Sequence, residues 1–508
     1  MSDNQSNNKR IAKNTMFLYI RMLLVMTITL YTSRVILKYL GVEDFGIYNV
    51  VGSIVIMFSF INGTLSSATS RFITVELGKG ESNSVSKIFN ITVLCHVIIA
   101  LFVVFLGETV GLWYFYNKMV IPEARIEAAF WVYQLSIAAT VLSITQVPYT
   151  SVLIAHENMK VYAYTGLVEA ILRLLIVFML ISSPIDKLVY YAILTFFIQA
   201  ALILIYRYYC IRSYEESKLK FVWDWKATKE IASYSFASLL VVIATETQSQ
   251  GINLLLNSFF GPIVNAARSI AYQVLGSITK FTSNFMVAVR PQIIKLYVQG
   301  RIDEMMHLVE MSGNLSFVLI LYFVIPIGLE ADYILHLWLG DYPANAQTFL
   351  LLIMIQSATS VYGNPRGGVF AATGKLYLIN IACGIILTSS FPIAYMFFRN
   401  GFPPEYAFIS VLITIPVYEL VSWIILRRQV EFSLKKLLLN TYVRSTIVFI
   451  GSVILPYFLH NLMEQGLMRL FVVGIVNAIT VSLCGLFIGL SKSQRLSIIS
   501  TIRKKLHI

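Results

Sequence analysis

Apolar stretches of roughly 20 residues recur along this 508-residue chain, each long enough to cross a hydrocarbon core about 30 Å thick as a helix. They are expected at about 15–38, 46–68, 86–107, 127–150, 161–182, 187–207, 229–256, 262–287, 306–330, 345–366, 374–397, 404–426, 442–460 and 467–490, with ends uncertain by about two to four residues. Strands fail as an explanation, because the runs are too long and do not alternate with period two. Charged residues make up 13% of the chain, against about 25% in ordinary soluble domains. Mean hydropathy is +0.74. The fold class follows: all-α, a polytopic membrane protein with about 14 transmembrane helices.

The first twelve spans fall into two similar halves. Leu40-Gly41 opens one arrangement and Lys79-Gly80 closes it 39 residues later; Phe260-Gly261 and Gln299-Gly300 repeat the same spacing. Pro148 stands seven residues before Ala155, and Pro365 seven before Ala372, with Lys160 and Tyr162 or Lys375 and Tyr377 following. A repeat of about 215–220 residues that spans membrane segments marks a transporter of two pseudo-symmetric six-helix lobes, with substrate held between lobes that rock. The expected organisation is a cytoplasmic leader (1–14), an N-lobe (15–210), a linker loop (211–228), a C-lobe (229–428), two further spans (429–490) and a basic tail (491–508).

An even number of spans puts both termini on one side. Loops on that side hold about 27 Lys and Arg, among them Lys9, Arg10, Arg212, Arg427, Arg428, Lys435 and Lys436, against about six opposite; the positive-inside rule makes the richer side cytoplasmic. This asymmetry accounts for the net charge of +13 and requires no nucleic acid. The same basic loops suit anionic membrane lipids. Cys95, Cys210, Cys383 and Cys484 lie far apart with no CxxC, as packing residues do, and the six histidines show no ligand spacing, so no metal or cofactor is expected.

Charges inside spans are more telling. Arg21, Arg34, Arg173, Arg268, Lys280 and Arg444 fall within or at the margin of spans, where each deep charge costs about 2.5–3.5 kcal/mol on insertion scales. Arg444 lies close enough to the cytoplasmic face to snorkel, and Arg34 and Lys38 have that option at the outer end of span one. Glu169 and Arg173 are spaced i,i+4 and suited to neutralise each other. On span seven, Glu246, Gln250, Asn253 and Asn257 share one α-helical face, and Thr27, Tyr31, Arg34 and Lys38 repeat the stripe on span one. Span eight adds Asn265, Arg268, Tyr272 and Thr279. A hydrated cavity with more bases than acids is the expectation, and it favours an anion. Interhelical hydrogen bonding is the competing account of the amides. Glu246 and Glu169 are the candidate coupling acids, and Glu419 is expected to pair between helices.

Leu40-Gly41-Val42-Glu43-Asp44-Phe45-Gly46-Ile47-Tyr48, following an Arg-bearing first span, resembles the start of Wzx-type polysaccharide flippases. Their superfamily also contains multidrug and toxin extruders and the lipid II flippase. The similarity extends over essentially the whole chain, including two extra C-terminal helices. It implies a non-enzymatic flippase that moves an undecaprenyl-diphosphate-linked oligosaccharide to the periplasmic leaflet by alternating access. The product would serve O-antigen or capsule synthesis in a bacterial inner membrane. It also implies a cationic cavity, whose matching positions here are Arg21, Arg34, Arg268 and Lys280, with span seven supplying Gln250, Asn253 and Asn257 in place of arginines. The expected partners are the lipid-linked substrate, membrane lipids, H⁺ or Na⁺, and other polysaccharide-assembly proteins. With no GxxxxGK[ST] loop, the drive expected is membrane potential or an ion gradient. The alternative is a cation-coupled multidrug exporter of the same fold; the excess of basic groups weighs against it. A membrane polymerase would show a long periplasmic loop with clustered Arg and an acyltransferase an intramembrane His with Asn or Asp; neither pattern is present, and an inert scaffold leaves the charges unexplained.

Overall fold

The computed structural model describes residues 23–58, 69–77, 82–156, 158–220, 222, 224–490 and 495. Arg21, the leader, Lys79-Gly80 and most of the basic tail lie outside them. The described residues are overwhelmingly helical and include no strand. Large apolar side chains such as Leu101, Phe197, Ile385 and Phe471 stand more than 60% exposed, as they do on helices whose solvent is lipid. The protein is a multi-pass α-helical membrane protein.

Among the described residues, ten helices are long and apolar enough to cross a membrane: Leu23–Leu40, Ser84–Asn117, Glu123–Ala155, Tyr164–Ile181, Lys187–Ser213, Ile302–Leu329, Tyr377–Arg399, Tyr406–Arg427, Leu434–Leu462 and Leu467–Gly489. The other four expected spans are helical over their described residues, and three of them miss that standard for a physical reason. Span two is described only over Val42–Phe58, 17 residues. Span seven is broken by a π turn and rich in amides. Span eight, Pro262–Val298, carries Arg268, Lys280, Arg290 and Lys295. Span ten is two helices, Ala346–Ser360 and Gly363–Thr373.

Helices named below are α1 (Leu23–Leu40), α2 (Val42–Phe58), α3 (Ser82–Leu106), α4 (Ile126–Ala155), α5 (Met159–Ile181), α6 (Lys187–Ser213), α7 (Trp225–Glu246), α8 (Ile252–Phe260) and α9 (Pro262–Val298). They continue with α10 (Ile302–Leu329), α11 (Ala331–Leu339), α12 (Ala346–Ser360), α13 (Gly363–Thr373), α14 (Tyr377–Thr388), α15 (Ser390–Arg399), α16 (Tyr406–Arg427), α17 (Leu434–Leu438), α18 (Arg444–Leu462) and α19 (Leu467–Cys484).

The chain divides into two compact units, Met1–Ala266 and Ala267–Ile508. In the first, Phe89 of α3, Tyr149, Val152 and Leu153 of α4, and Tyr206 and Cys210 of α6 close a core with Ile73. The unit extends through α8 because the polar side of that helix is tied into it. Tyr114 Oη lies 2.9 Å from Ser258 Oγ, and Asn253 Nδ2 donates to Ser53 Oγ at 2.6 Å.

Gly41 and Gly261 separate α1 from α2 and α8 from α9 as single residues, at φ +82° and +79°. The N–H of Gly41 donates to Leu37 O (2.9 Å) and that of Gly261 to Asn257 O (2.8 Å), so both helices end on the same backbone hydrogen bond from a glycine of positive φ. Only glycine takes that φ without steric cost. The sequence repeat therefore has a matching local backbone.

Gly46 has a different task. A Cβ there would lie 1.9 Å from the carbonyl oxygen of Pro262, so α2 meets the start of α9 backbone to backbone.

One end of the first unit is held by Arg125. Its Nε and Nη2 donate to the two oxygens of Asp44 (2.8 and 2.6 Å), and its Nη1 and Nη2 to Asp186 (2.5 and 3.1 Å). Asp186 also caps α6, accepting from the N–H groups of Leu188 and Val189. Burial pushes the Asp44 carboxyl up against the pull of Arg125. On the more exposed Asp186 the Arg125 hydrogen bond dominates and holds the carboxyl below its usual range.

In the second unit, Met286, Ile293, Met305, Val309, Val369, Trp423 and Leu426 form one core. Phe317, Leu321, Val361, Tyr362, Val448 and Val481 form another, which seats α18 and α19 against α10. Asn314 of α10 strengthens that seat. Its Nδ2 donates to Asn440 O (3.0 Å) and Gly489 O (3.1 Å), carbonyls of the π turns Leu439–Val443 and Gly485–Gly489.

Candidate functional site

Span seven decides how the polar residues are presented. Its helix is interrupted by the π turn Thr247–Gly251, between α7 and α8. A π turn inserts about one extra residue, which rotates everything beyond it by about 100° relative to an uninterrupted α-helix. The stripe expected from a uniform 3.6-residue period is therefore split.

Beyond the π turn, Asn253 and Asn257 turn into the first unit, 4% and 0% exposed. Asn253 Oδ1 accepts from Asn265 Nδ2 at 2.9 Å while its own Nδ2 holds Ser53. The amide of Asn257 is closed on the Val120 backbone, accepting from its N–H (2.9 Å) and donating to its carbonyl (3.2 Å). In this structure both side chains act as tethers.

Glu246 and Gln250, at and within the π turn, are half-buried, and the Gln250 side chain hydrogen-bonds Glu246. The second carboxylate oxygen of Glu246 and Nε2 of Gln248 are buried without a hydrogen-bond partner among the described residues. Unsatisfied polar atoms at membrane depth are costly, and π turns are frequent at functional positions.

Arg34 is exposed on α1. Glu169 accepts from Nε and Nη2 of Arg173 at 3.0 and 2.8 Å, the neutral i,i+4 pair expected from their spacing. In the second unit, Arg268 is 6% exposed, its guanidinium carbon 4.0 Å from the Tyr272 ring centroid. A cation held over an aromatic face out of water gains about 2 kcal/mol. Lys280, three turns further along α9, is exposed. The structure thus joins Glu246 to Gln250 and Glu169 to Arg173, and gives Asn253 and Asn257 other partners.

One charge escapes sequence reasoning. Arg366 of α13 is buried with Glu419 of α16 in a direct ion pair, side chains 3% and 8% exposed. Tyr442 Oη donates to Glu419 Oε2 at 2.7 Å, and Trp423 Nε1 donates to Tyr442 Oη at 2.7 Å. The expected pairing of Glu419 is present; its partner is hidden in the sequence because Arg366 coincides with the expected end of span ten. The chain in fact breaks after Ser360 and continues as helix to Thr373, with Pro365 in the first turn where proline is tolerated. Among the described residues no cluster of His, Cys, Asp and Glu has the geometry of a metal site.

Residues 11–296 match the family described as polysaccharide biosynthesis protein. No curated protein matches the chain. Among solved structures, an inward-facing multidrug resistance MATE family transporter of the MOP superfamily aligns with TM-score 0.68 at 14% identity, covering 80% of this chain and 96% of that one. The lipid II flippase MurJ, in an inward closed conformation, aligns with TM-score 0.68 at 12% identity, covering 92% and 97%. A MOP superfamily transporter from Pyrococcus furiosus gives 0.61 at 15% identity, covering 81% and 94%. At such identities these likenesses establish the fold.

Proposed function

Since the chain belongs to the polysaccharide biosynthesis protein family, we propose that it is a flippase. It moves an undecaprenyl-diphosphate-linked oligosaccharide from the cytoplasmic to the periplasmic leaflet of a bacterial inner membrane by alternating access. Both termini are cytoplasmic, and the product feeds O-antigen or capsule assembly. The observation that carries this proposal is where the intramembrane polar residues fall. Arg21, Arg34, Glu246, Gln250, Arg268 and Lys280 all lie within the matched residues 11–296.

Arginine suits a diphosphate because its planar fork gives two parallel hydrogen bonds to phosphate oxygens. The cationic set reads the diphosphate, Gln250 is left for sugar hydroxyls, and the polyprenyl tail remains in lipid. Carrying one charge through 100 mV is worth about 2.3 kcal/mol. A head group with about two negative charges leaving an inside-negative cell gains on the order of 4–5 kcal/mol if it crosses unpaired. Potential alone is then enough for net export, and Glu246 is the group through which an ion would couple.

The test is translocation in proteoliposomes, scored as protection of a fluorescent undecaprenyl-diphosphate oligosaccharide from an enzyme added outside. Wild type should flip it; Arg21→Ala and Arg268→Ala should not, while remaining monodisperse. No protein-dependent protection under an imposed potential, with several glycans tried, would sink the proposal. Weight would then pass to cation-coupled drug export, which the unpartnered oxygen of Glu246 suits and which a change in resistance to cationic dyes would reveal.

A further inference from the structure

A cavity of about 1020 Å³ lies in the second unit, where the start of α10 meets α17 and the π turn leading into α18. Its walls come from the candidate spans Ile302–Leu329 and Leu434–Leu462, near the N-terminal ends of both. The excess of Lys and Arg in the loops on that side places it at the cytoplasmic surface, at the depth of lipid headgroups.

The chemistry of the lining is balanced. Lys436 and Arg444 face the cavity together with Asp303 and Glu310, a third acid, Glu304, is already ion-paired with Arg301 at 2.5 Å, and His307 is the remaining titratable side chain of the wall. A dianion meets no net positive charge here, whereas a zwitterion finds a partner for each end. Asn314, 2% exposed, lines the same cavity. Its orientation is fixed because both partners of Nδ2 are carbonyls, which only accept. Oδ1 is left buried without a hydrogen-bond partner among the described residues. A buried lone acceptor calls for a ligand that brings an N–H or O–H donor. Glu310 stands nearby on α10, one of its oxygens accepting from Asn440 Nδ2 at 3.1 Å.

We propose that this cavity binds the headgroup of a zwitterionic aminophospholipid, its phosphate on Lys436 and Arg444 and its primary ammonium on Glu310 and Asn314 Oδ1. Leu308 and Phe432 supply apolar wall for the upper acyl chains. A choline headgroup has the same charges but no N–H, so it cannot satisfy Oδ1. The site is separate from the residues proposed to read the transported substrate, and it gives α18 a lipid-dependent seat on α10.

The experiment is native mass spectrometry of the full-length, delipidated protein titrated with dioleoyl phosphatidylethanolamine, phosphatidylcholine or phosphatidylglycerol. Phosphatidylethanolamine should bind at least fivefold more tightly than phosphatidylcholine. Arg444→Gln and Glu310→Gln should each weaken it about tenfold, the equivalent of about 1.4 kcal/mol; Arg444→Gln should weaken phosphatidylcholine as well, since both lipids carry the phosphate, whereas Glu310→Gln should narrow the preference for phosphatidylethanolamine. Lys436→Gln carries the same prediction should Arg444→Gln fail to fold. Equal binding of the two zwitterions, tighter binding of phosphatidylglycerol, or variants that bind as wild type would each overturn the proposal. So would displacement of the lipid by an equal concentration of soluble glycerophosphoethanolamine, which would make the ligand a soluble one. Flipping is not the readout, so failure here leaves the transport proposal untouched.

Discussion

Replacing Arg366 with Met should destabilise the second unit far more than replacing Arg366 and Glu419 together. The two side chains are 3% and 8% exposed and pair directly. Removing the guanidinium leaves a carboxylate in a site with almost no water, its remaining support being the 2.7 Å hydrogen bond from Tyr442. Breaking a buried pair in this way costs about 3–5 kcal/mol. The guanidinium also faces the rings of Tyr418 and Trp423, with 5.2 and 5.5 Å to their centroids, so Arg366→Met gives up that attraction too. Glu419→Leu should cost a similar amount by stranding the arginine. Arg366→Met with Glu419→Leu strands neither charge. The residual cost is the Tyr442 hydroxyl without its acceptor, about 1–3 kcal/mol, and that hydroxyl keeps the bond from Trp423.

The coupling between the two sites is therefore expected to be at least about 2 kcal/mol. For domains of 150–250 residues about 2–4 °C of melting temperature corresponds to each kcal/mol, so each single variant should melt roughly 6–20 °C early. The double variant should recover at least half of that loss. Unfolding of such proteins is commonly irreversible, so the comparison belongs at one fixed scan rate in one detergent. Single losses that simply add in the double variant would refute the idea of a mutually dependent buried pair. An Arg366→Met protein melting within about 2 °C of wild type would show that the site is wet.

Three further outcomes are expected. Gly46→Ala should prevent accumulation of folded protein, since the new Cβ would meet the Pro262 carbonyl at 1.9 Å; Gly52→Ala, with open space at that position, should express normally. Equal yields of the two would refute the backbone contact. Arg125→Met should lose about 2–4 kcal/mol at neutral pH by leaving half-buried Asp44 uncompensated. Without Arg125 the Asp44 carboxyl rises further, so the folded state binds the extra proton and stability falls as pH rises. The gap in melting temperature to wild type should thus narrow from neutral pH to about pH 5, and a widening gap would reverse the assignment. Glu246→Gln should abolish transport with substrate binding intact if an ion couples through this residue; unchanged transport would remove the coupling role.

The part of the molecule legible in the sequence is the part governed by long runs of residues. Span positions come from length and apolarity, which the bilayer imposes, and the paired glycines come from a φ that other residues avoid. Gly41 and Gly261 accordingly recur at φ +82° and +79° with the same cap. The Leu-Gly-x-x-x-Phe-Gly-Ile-Tyr stretch proves structural, residue by residue. Gly41 makes the turn, Asp44 holds Arg125, Gly46 admits Pro262, and Tyr48 meets the Tyr191 ring edge-on at 4.7 Å between centroids.

Side-chain direction is not legible, because one inserted residue in a helix leaves no mark on composition. Four π turns occur among the described residues, at Gly107–Gly111, Thr247–Gly251, Leu439–Val443 and Gly485–Gly489. The first three each rotate the downstream residues of their helix by about 100°, and the fourth closes its helix. On span seven that rotation separates Glu246 and Gln250 from Asn253 and Asn257, which a uniform period places together. π turns also explain Asn314, which occupies an unremarkable position in the sequence of α10 and yet holds the opened carbonyls of two of them. A polar stripe in a membrane helix thus shows that the helix has polar business; which neighbour each residue addresses depends on where the helix is overwound or underwound. Asn253 and Asn257 are consequently tethers, while Glu246, on the other side of the π turn, keeps an oxygen to spare.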